Sequence, residues 1–108
     1  MTKIVYILNS PVLTAYGQWE FSGPISLEES RSLLSSGYIS AVGHASTARL
    51  LSGILGIEVS HTRRAISMNP GDEALVFHLH QRLEEHEIVP EQELRSRAFE
   101  FGKLRRLA

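Results

Sequence analysis

Lys3-Ile4-Val5-Tyr6-Ile7-Leu8 restricts the fold more than any other stretch of the chain. A near-continuous apolar, β-branched run suits a strand buried on both faces. Such strands lie in the interior of α/β sheets. Asn9-Ser10-Pro11 ends the run. The expected fold class is therefore α/β, a small mixed β-sheet flanked by helices.

Punctuation along the chain places the other elements. Val12–Phe21 is ambiguous, with Gly17 and the alternating aromatics Tyr16, Trp19 and Phe21 suggesting an irregular arm or short strand. Ser26-Leu27-Glu28-Glu29 fits a capping box and predicts a helix to about Ser35, closed by Gly37. Leu27, Leu33 and Leu34 are its candidate core contacts. Tyr38–Val42 is short and apolar and leads to Gly43. Asn69-Pro70-Gly71-Asp72 is a strong turn signal. Arg63–Met68 and Glu73–His80 on either side of it read as a hairpin. In the second strand Leu75, Phe77 and Leu79 share one face, with Ala74, Val76, His78 and His80 on the other. Gln81–Val89 reads as an exposed, charge-dense loop. Pro90 opens a last helix to about Phe99, and Phe101–Leu107 reads as an edge strand with Arg105 and Arg106 solvated.

The stretch with most chemical content is Ser40-Ala41-Val42-Gly43-His44-Ala45-Ser46-Thr47-Ala48. Gly43 reads as a turn glycine with a backbone conformation closed to other residues. His44, Ser46 and Thr47 fall in the first turn of a helix whose apolar stripe is Ala48, Leu51, Ile54 and Leu55, with Gly56 as the stop. A helix start offers free backbone N–H groups, which suit an anion. A titratable imidazole beside bound phosphate is a set of parts for phosphodiester chemistry. The same pattern also fits an ordinary capped helix with a polar first turn.

Composition narrows the function classes. The chain has 108 residues with 11 basic and 12 acidic side chains, a formal charge of −1. That length suits a single domain, residues 1–108, with one modest core. The charge argues against general DNA or RNA binding, which usually brings a basic excess. No cysteine is present, which excludes disulfides and thiolate metal sites. His78 and His80 could begin a zinc site, but His61 is the only nearby third ligand, so no metal or other cofactor is expected. Met1–Ser10 lacks a signal-peptide pattern, and no stretch nears the ~20 apolar residues of a membrane span. A cytoplasmic protein is expected. There is no Gly-rich phosphate loop with its lysine and no serine nucleophile elbow. Arg63-Arg64 on a strand would point to opposite faces, so one of the two could meet a ligand. Arg82 is another candidate anion contact, since a guanidinium fork can hold two phosphate oxygens. Each also reads as a solvated surface arginine.

Several of these segments occur together in one family. Asn9, the Ser40–Ala48 stretch, Arg63, Met68-Asn69-Pro70-Gly71-Asp72-Glu73-Ala74-Leu75 and Gln81-Arg82-Leu83-Glu84-Glu85 follow in that order. With them the chain, from Lys3 to about Leu104, resembles the viral type III anti-CRISPR ring nucleases and their bacterial relatives. The resemblance implies a two-fold homodimer with a pocket at its interface. It implies degradation of cyclic tetra-adenylate, the messenger that activates type III CRISPR effectors, to linear oligoadenylates ending in 2′,3′-cyclic phosphate. By position, His44 matches the catalytic histidine and Glu85 the glutamate of a mobile loop in the catalytic set. Arg82 matches the ligand-binding arginine and Arg63 a second basic contact. Asn9 lies at the pocket edge, and Ser10, Gly43 and Gln81 complete the implied ligand set. The family commonly has Gly after the Glu-Glu pair, where this chain has His86. Two other readings are a module that sequesters the cyclic nucleotide without cutting it and a small dimeric DNA-binding regulator.

Overall fold

Ile7 is wholly enclosed, and Val5, Tyr6 and Leu8 are nearly so. Their burial is two-sided: Val5 and Ile7 join one apolar cluster, Tyr6 and Leu8 the other. The computed structural model describes residues 3–79 and 99–108. Within them the chain forms β1 (Val5–Leu8), β2 (Trp19–Ile25), α1 (Leu27–Leu34), β3 (Ile39–Ser40), α2 (Ala45–Leu55), β4 (Glu73–Leu79) and β5 (Phe99–Arg106). The five strands make one mixed sheet in the order β2-β5-β4-β1-β3. β3, β1 and β4 are parallel, while β5 runs antiparallel to both β4 and β2. The run at the start of the chain is thus an interior strand of a parallel unit.

Both helices belong to one side of the sheet. Leu34 of α1 and Ala48, Leu50, Leu51 and Leu55 of α2 pack with Val5, Ile7, Leu75, Phe77 and Phe101. Phe77 anchors this side, its ring centroid 5.4 Å from that of Phe99 and 5.8 Å from that of Phe101. Tilted aromatic pairs of this kind add about 0.5–1.5 kcal/mol beyond the area they bury. On the opposite face, with Tyr6, Leu8, Ala74, Val76 and Leu104, no helix packs among the described residues. Met68 and the partly buried Ile66 and Trp19 cover it instead.

Local signals explain the helix ends. The Ser26 side chain accepts from the Glu29 backbone N–H at 3.0 Å, so the expected cap forms. Gly56 ends α2 at φ 70°, a left-handed conformation that glycine adopts without steric cost. Arg31 of α1 donates through Nε to Leu55 O and through Nη2 to Ile54 O, both at 3.1 Å. One guanidinium therefore satisfies the last carbonyls of α2 and ties the two helices together. Leu33 and Leu34 face the core as expected, but Leu27 is 38 % exposed.

Three expectations need correction. Arg63–Met68 is not a strand, and the Asn69–Asp72 turn does not join a hairpin. β4 instead pairs with β1 and β5, so a segment that reads as its neighbour crosses the face of Tyr6, Leu8 and Val76. β5 is not at an edge; it lies between β2 and β4. Arg106 is not merely solvated. It donates to Met68 O at 2.6 Å and Tyr16 O at 3.1 Å, and its guanidinium lies 5.5 Å from the Trp19 ring centroid. The expected 81–89 loop and the helix from Pro90 lie outside the described residues, except that Phe99 begins β5.

Glu73, at the start of β4, is a buried carboxylate with two ammonium partners. Lys103 Nζ lies 2.8 Å from Oε2, and Lys3 pairs with Oε1. Burial pushes the carboxyl pKa up, but the hydrogen bonds from Lys103 and Lys3 outweigh it and hold the group below its ordinary value. A carboxylate with a depressed folded-state pKa contributes its full stability above the ordinary value of about 4.3 and loses it as pH falls through the lowered one. Denaturation across pH 2–7 should show this acid loss. Glu73→Gln should flatten it while lowering stability at pH 7 by about 1.5–3 kcal/mol, the worth of charged hydrogen bonds.

Candidate functional site

The carboxyl ends of β1 and β3 lie side by side, joined by the Ala41 N–H donating to Ile7 O at 2.9 Å. Crevices outside the carboxyl ends of parallel strands are where α/β sheets bind ligands. Asn9 and Ser10, both exposed, leave β1 at this point. Ala41, Val42 and Gly43 leave β3 next to them and turn into α2.

His44 is the N-cap of α2, with φ −126° and ψ 120°, and its side chain makes no capping hydrogen bond. Its role at the helix start is therefore carried by the backbone, whose carbonyl accepts from the Ala48 N–H at 3.0 Å. The ring is half-buried, with Nδ1 enclosed. Ser46 is half-buried, whereas Thr47 is buried, so only one of the two first-turn hydroxyls is presented to solvent. The first amides of α2 have no partner within the helix and carry the positive end of its dipole.

Gly43 is needed for a reason other than the one its sequence suggests. Its φ does not lie in the left-handed region. A Cβ on it would lie 3.0 Å from Arg63 Cγ, so the missing side chain makes room for an arginine stem. Arg63 Nε in turn donates to Gly43 O at 3.4 Å, and His61 Nε2 lies 3.3 Å from the same oxygen. The chain arrives there because His61 bridges Val42 in parallel and Thr62 N donates to Val42 O at 2.9 Å. Ser40 Oγ, bonded to Ser60 O at 2.7 Å, fixes the approach. Arg63 thus stands against Gly43, the residue before His44, from 20 positions away in sequence.

A cleft of about 310 Å³ opens on the flank of this constellation, lined by Asn9, Ser10, Ala41, Arg64 and Ile66 among others. Arg64, weighed with Arg63 in the sequence but not assigned by the resemblance, is the arginine that lines this cleft. The expectation that Arg63 and Arg64 point to opposite faces assumed a strand. In the irregular segment, Arg63 reaches Gly43 while Arg64 lines the cleft with Asn9 and Ser10. Arg64 also acts on Tyr6, whose phenol is pushed up by burial and by Asp72, with Arg64 opposing. The structure therefore sets Arg63 against Gly43, next to His44, and sets Asn9 and Ser10 in a cleft with Arg64. Gln81, Arg82 and Glu85 lie outside the described residues.

Of the zinc grouping His61, His78 and His80, His80 lies outside the described residues. Among the described residues no three metal-ligating side chains of the His, Asp, Glu or Cys types gather.

Comparison with known proteins gives the lineage of this arrangement. The profile of STIV B116-like proteins matches residues 5–101, from the first strand into the last. The chain belongs to the STIV B116-like family. It is 36% identical over 90 residues to uncharacterized protein 26 of Sulfolobus islandicus filamentous virus, covering 80% of this chain and 76% of that one. It is 31% identical over 111 residues to uncharacterized protein ORF117 of Acidianus two-tailed virus, covering 96% and 94%. Its fold is that of B116 of Sulfolobus turreted icosahedral virus, with a TM-score of 0.70, 23% identity, and coverage of 94% and 97%. The family match spans the crevice residues Asn9, Ser10, Gly43, His44 and Arg63. Among the described residues no helix is long and apolar enough to cross a membrane.

Proposed function

We propose that this chain is a metal-independent ring nuclease that cleaves cyclic tetra-adenylate as a two-fold homodimer in the cytoplasm of a prokaryotic cell, switching off type III CRISPR signalling. The observation that carries the reading is His44 at the start of α2, with Arg63 bonded to the Gly43 carbonyl just before it, outside the carboxyl ends of two parallel strands. The resemblance of the Gly43–Ala48 and Gln81–Glu85 segments to ring nucleases supplies the substrate.

The chemistry asks little of the protein. An RNA phosphodiester carries its own nucleophile, the adjacent 2′-OH. Its oxygen attacks phosphorus in line, the P–O5′ bond breaks, and a 2′,3′-cyclic phosphate forms. The proton lost by the 2′-OH passes to solvent or a base. The departing 5′-oxygen takes a proton from His44, whose imidazole type titrates near neutral pH. The α2 amides and Arg63 offset the charge that grows on the phosphate oxygens. Asn9 and Ser10 bound the ligand at the end of β1, and the resemblance adds Gln81, Arg82 and Glu85 to the set. A two-fold dimer would present one His44 to each of two opposite phosphates of the ring.

The test is incubation of the purified chain with cyclic tetra-adenylate in excess EDTA, followed by chromatography. Linear oligoadenylates with 2′,3′-cyclic phosphate ends are expected, at the same rate as without chelator. Retention of the intact ring would mean a sequestering protein. Absence of any interaction would remove the substrate from consideration.

A further inference from the structure

Cleavage of a phosphodiester by its own 2′-OH moves two protons, one off the attacking oxygen and one onto the leaving oxygen. His44 accounts for the second. We propose that His61 is the general base that takes the first, through Nδ1. The assignment rests on the nuclease reading and adds a second catalytic imidazole to it.

The tautomer follows from the backbone. His61 Nε2 lies 3.3 Å from the Gly43 carbonyl oxygen. A carbonyl only accepts, so Nε2 carries the hydrogen. In a neutral imidazole the bond made at one nitrogen sets the state of the other, so Nδ1 bears the lone pair. Nδ1 makes no hydrogen bond among the described residues. His61 is exposed, so a ligand can reach that nitrogen. A base held through its second nitrogen by a fixed acceptor is the arrangement that activates hydroxyl nucleophiles in general.

The main chain fixes where this imidazole stands. His61 bridges Val42 in parallel, and the Thr62 N–H donates to Val42 O at 2.9 Å. The Ser60 and Thr62 hydroxyls, 3.0 Å apart, brace the segment on either side of His61. The side chain thus meets the backbone at the residue before His44, from a segment 18 positions beyond Gly43. In-line displacement puts the attacking and leaving oxygens on opposite sides of phosphorus. Acid and base serve such a reaction from separate elements, here the start of α2 and the segment that passes it.

The step balances without any other reactant. Nδ1 takes the hydrogen of the 2′-OH as the 2′-oxygen bonds to phosphorus. The P–O5′ bond breaks, its electron pair goes to the 5′-oxygen, and that oxygen takes the His44 proton. His61 ends as imidazolium and His44 as neutral imidazole, and exchange with water restores both. Nε2–H keeps its bond to Gly43 O throughout, and a bond from a charged donor is the stronger one. Arg63 Nε donates to the same oxygen at 3.4 Å, so the turn keeps a donor when His61 is replaced.

Sulfur in place of the bridging 5′-oxygen separates base from acid, because a thiolate leaves without a proton. On ordinary cyclic tetra-adenylate, His61→Gln and His44→Ala should each be slower than the parent by ~10²–10⁴-fold. On the 5′-thio analogue, His44→Ala should recover most of the parent rate and His61→Gln should stay slow. Glutamine can still donate to Gly43 O, so its deficit reports the missing base and not a lost bond. In the ligand-free chain, two-bond ¹H–¹⁵N spectra should show neutral His61 protonated at Nε2. A neutral His61 protonated at Nδ1 overturns the assignment whatever the chain cleaves. His61→Gln cutting at the parent rate overturns it with the nuclease reading intact. So does recovery of His61→Gln on the thio analogue, which would make His61 a positioning residue. Failure of the parent to cut either substrate would sink the nuclease reading, and the base with it.

Discussion

His44→Ala should lower the rate of cyclic tetra-adenylate cleavage by ~10²–10⁴-fold, the usual worth of a positioned general acid. Binding should survive, because in this reading phosphate is held by the α2 amides and arginines rather than by the ring. The geometry also protects the fold of this variant. The His44 side chain makes no capping hydrogen bond, and its carbonyl, which any residue supplies, accepts the first bond of α2. Single-turnover rates and calorimetric binding of the intact ring, measured on the same preparation, separate the two effects. A variant that cuts at the parent rate would remove His44 from the mechanism. A variant that cuts slowly only because it no longer binds would make the ring a ligand contact instead of an acid.

Asp72→Ala should be the most damaging single polar truncation for stability. Asp72 is buried and bonds both sides of the turn before β4. Oδ1 accepts from the Ile4 N–H and Oδ2 from the Asn69 N–H, both at 2.9 Å. The first bond ties the start of the chain to the turn across 68 positions of sequence. The second closes the Asn69–Asp72 turn, where Gly71 takes φ 95°. Truncation leaves two amides without their acceptor, at ~1–3 kcal/mol each if neither finds water. A loss of about 2–4 kcal/mol should lower the thermal midpoint by at least ~8 °C in a chain of this size. Asp72→Asn keeps one carbonyl oxygen and should lose about half as much. A midpoint within ~2 °C of the parent for Asp72→Ala would show that water replaces both bonds.

These residues also show how far sequence carries. The Asn69-Pro70-Gly71-Asp72 turn is legible because its signals are local: a proline, a glycine and a carboxylate one turn apart. Its partner strand was misread for the same reason. Arg63–Met68 is adjacent in sequence to β4 and has strand-like composition, yet β4 finds β1 and β5 instead. Pairing is settled by which neighbours bury Leu75 and Phe77 together with Val5, Ile7 and Phe101, and no local pattern records that. Arg106 is a second case. Two arginines near the chain end look like a solvated edge until β2 forms alongside, placing Trp19 and the Tyr16 carbonyl within its reach.

The sequence by itself determined the interior strand β1, the Ser26 cap of α1, the α2 helix with its Gly56 stop, and His44 at the start of that helix. Each follows from side chains within about ten residues of one another, through burial period, capping geometry or glycine's freedom at positive φ. The tertiary structure alone decided the company the His44 turn keeps. Arg63 reaches Gly43 because His61 bridges Val42 in parallel and Gly43 has no side chain to block the arginine stem. Arg64 meets Asn9 and Ser10 because the segment carrying it is irregular, so the alternation of a strand does not apply. Phe21 rests on Gly102 because β2 pairs with β5 across more than 70 residues of chain. Such contacts depend on which surfaces the whole chain can bury at once, and that is a property of no single stretch.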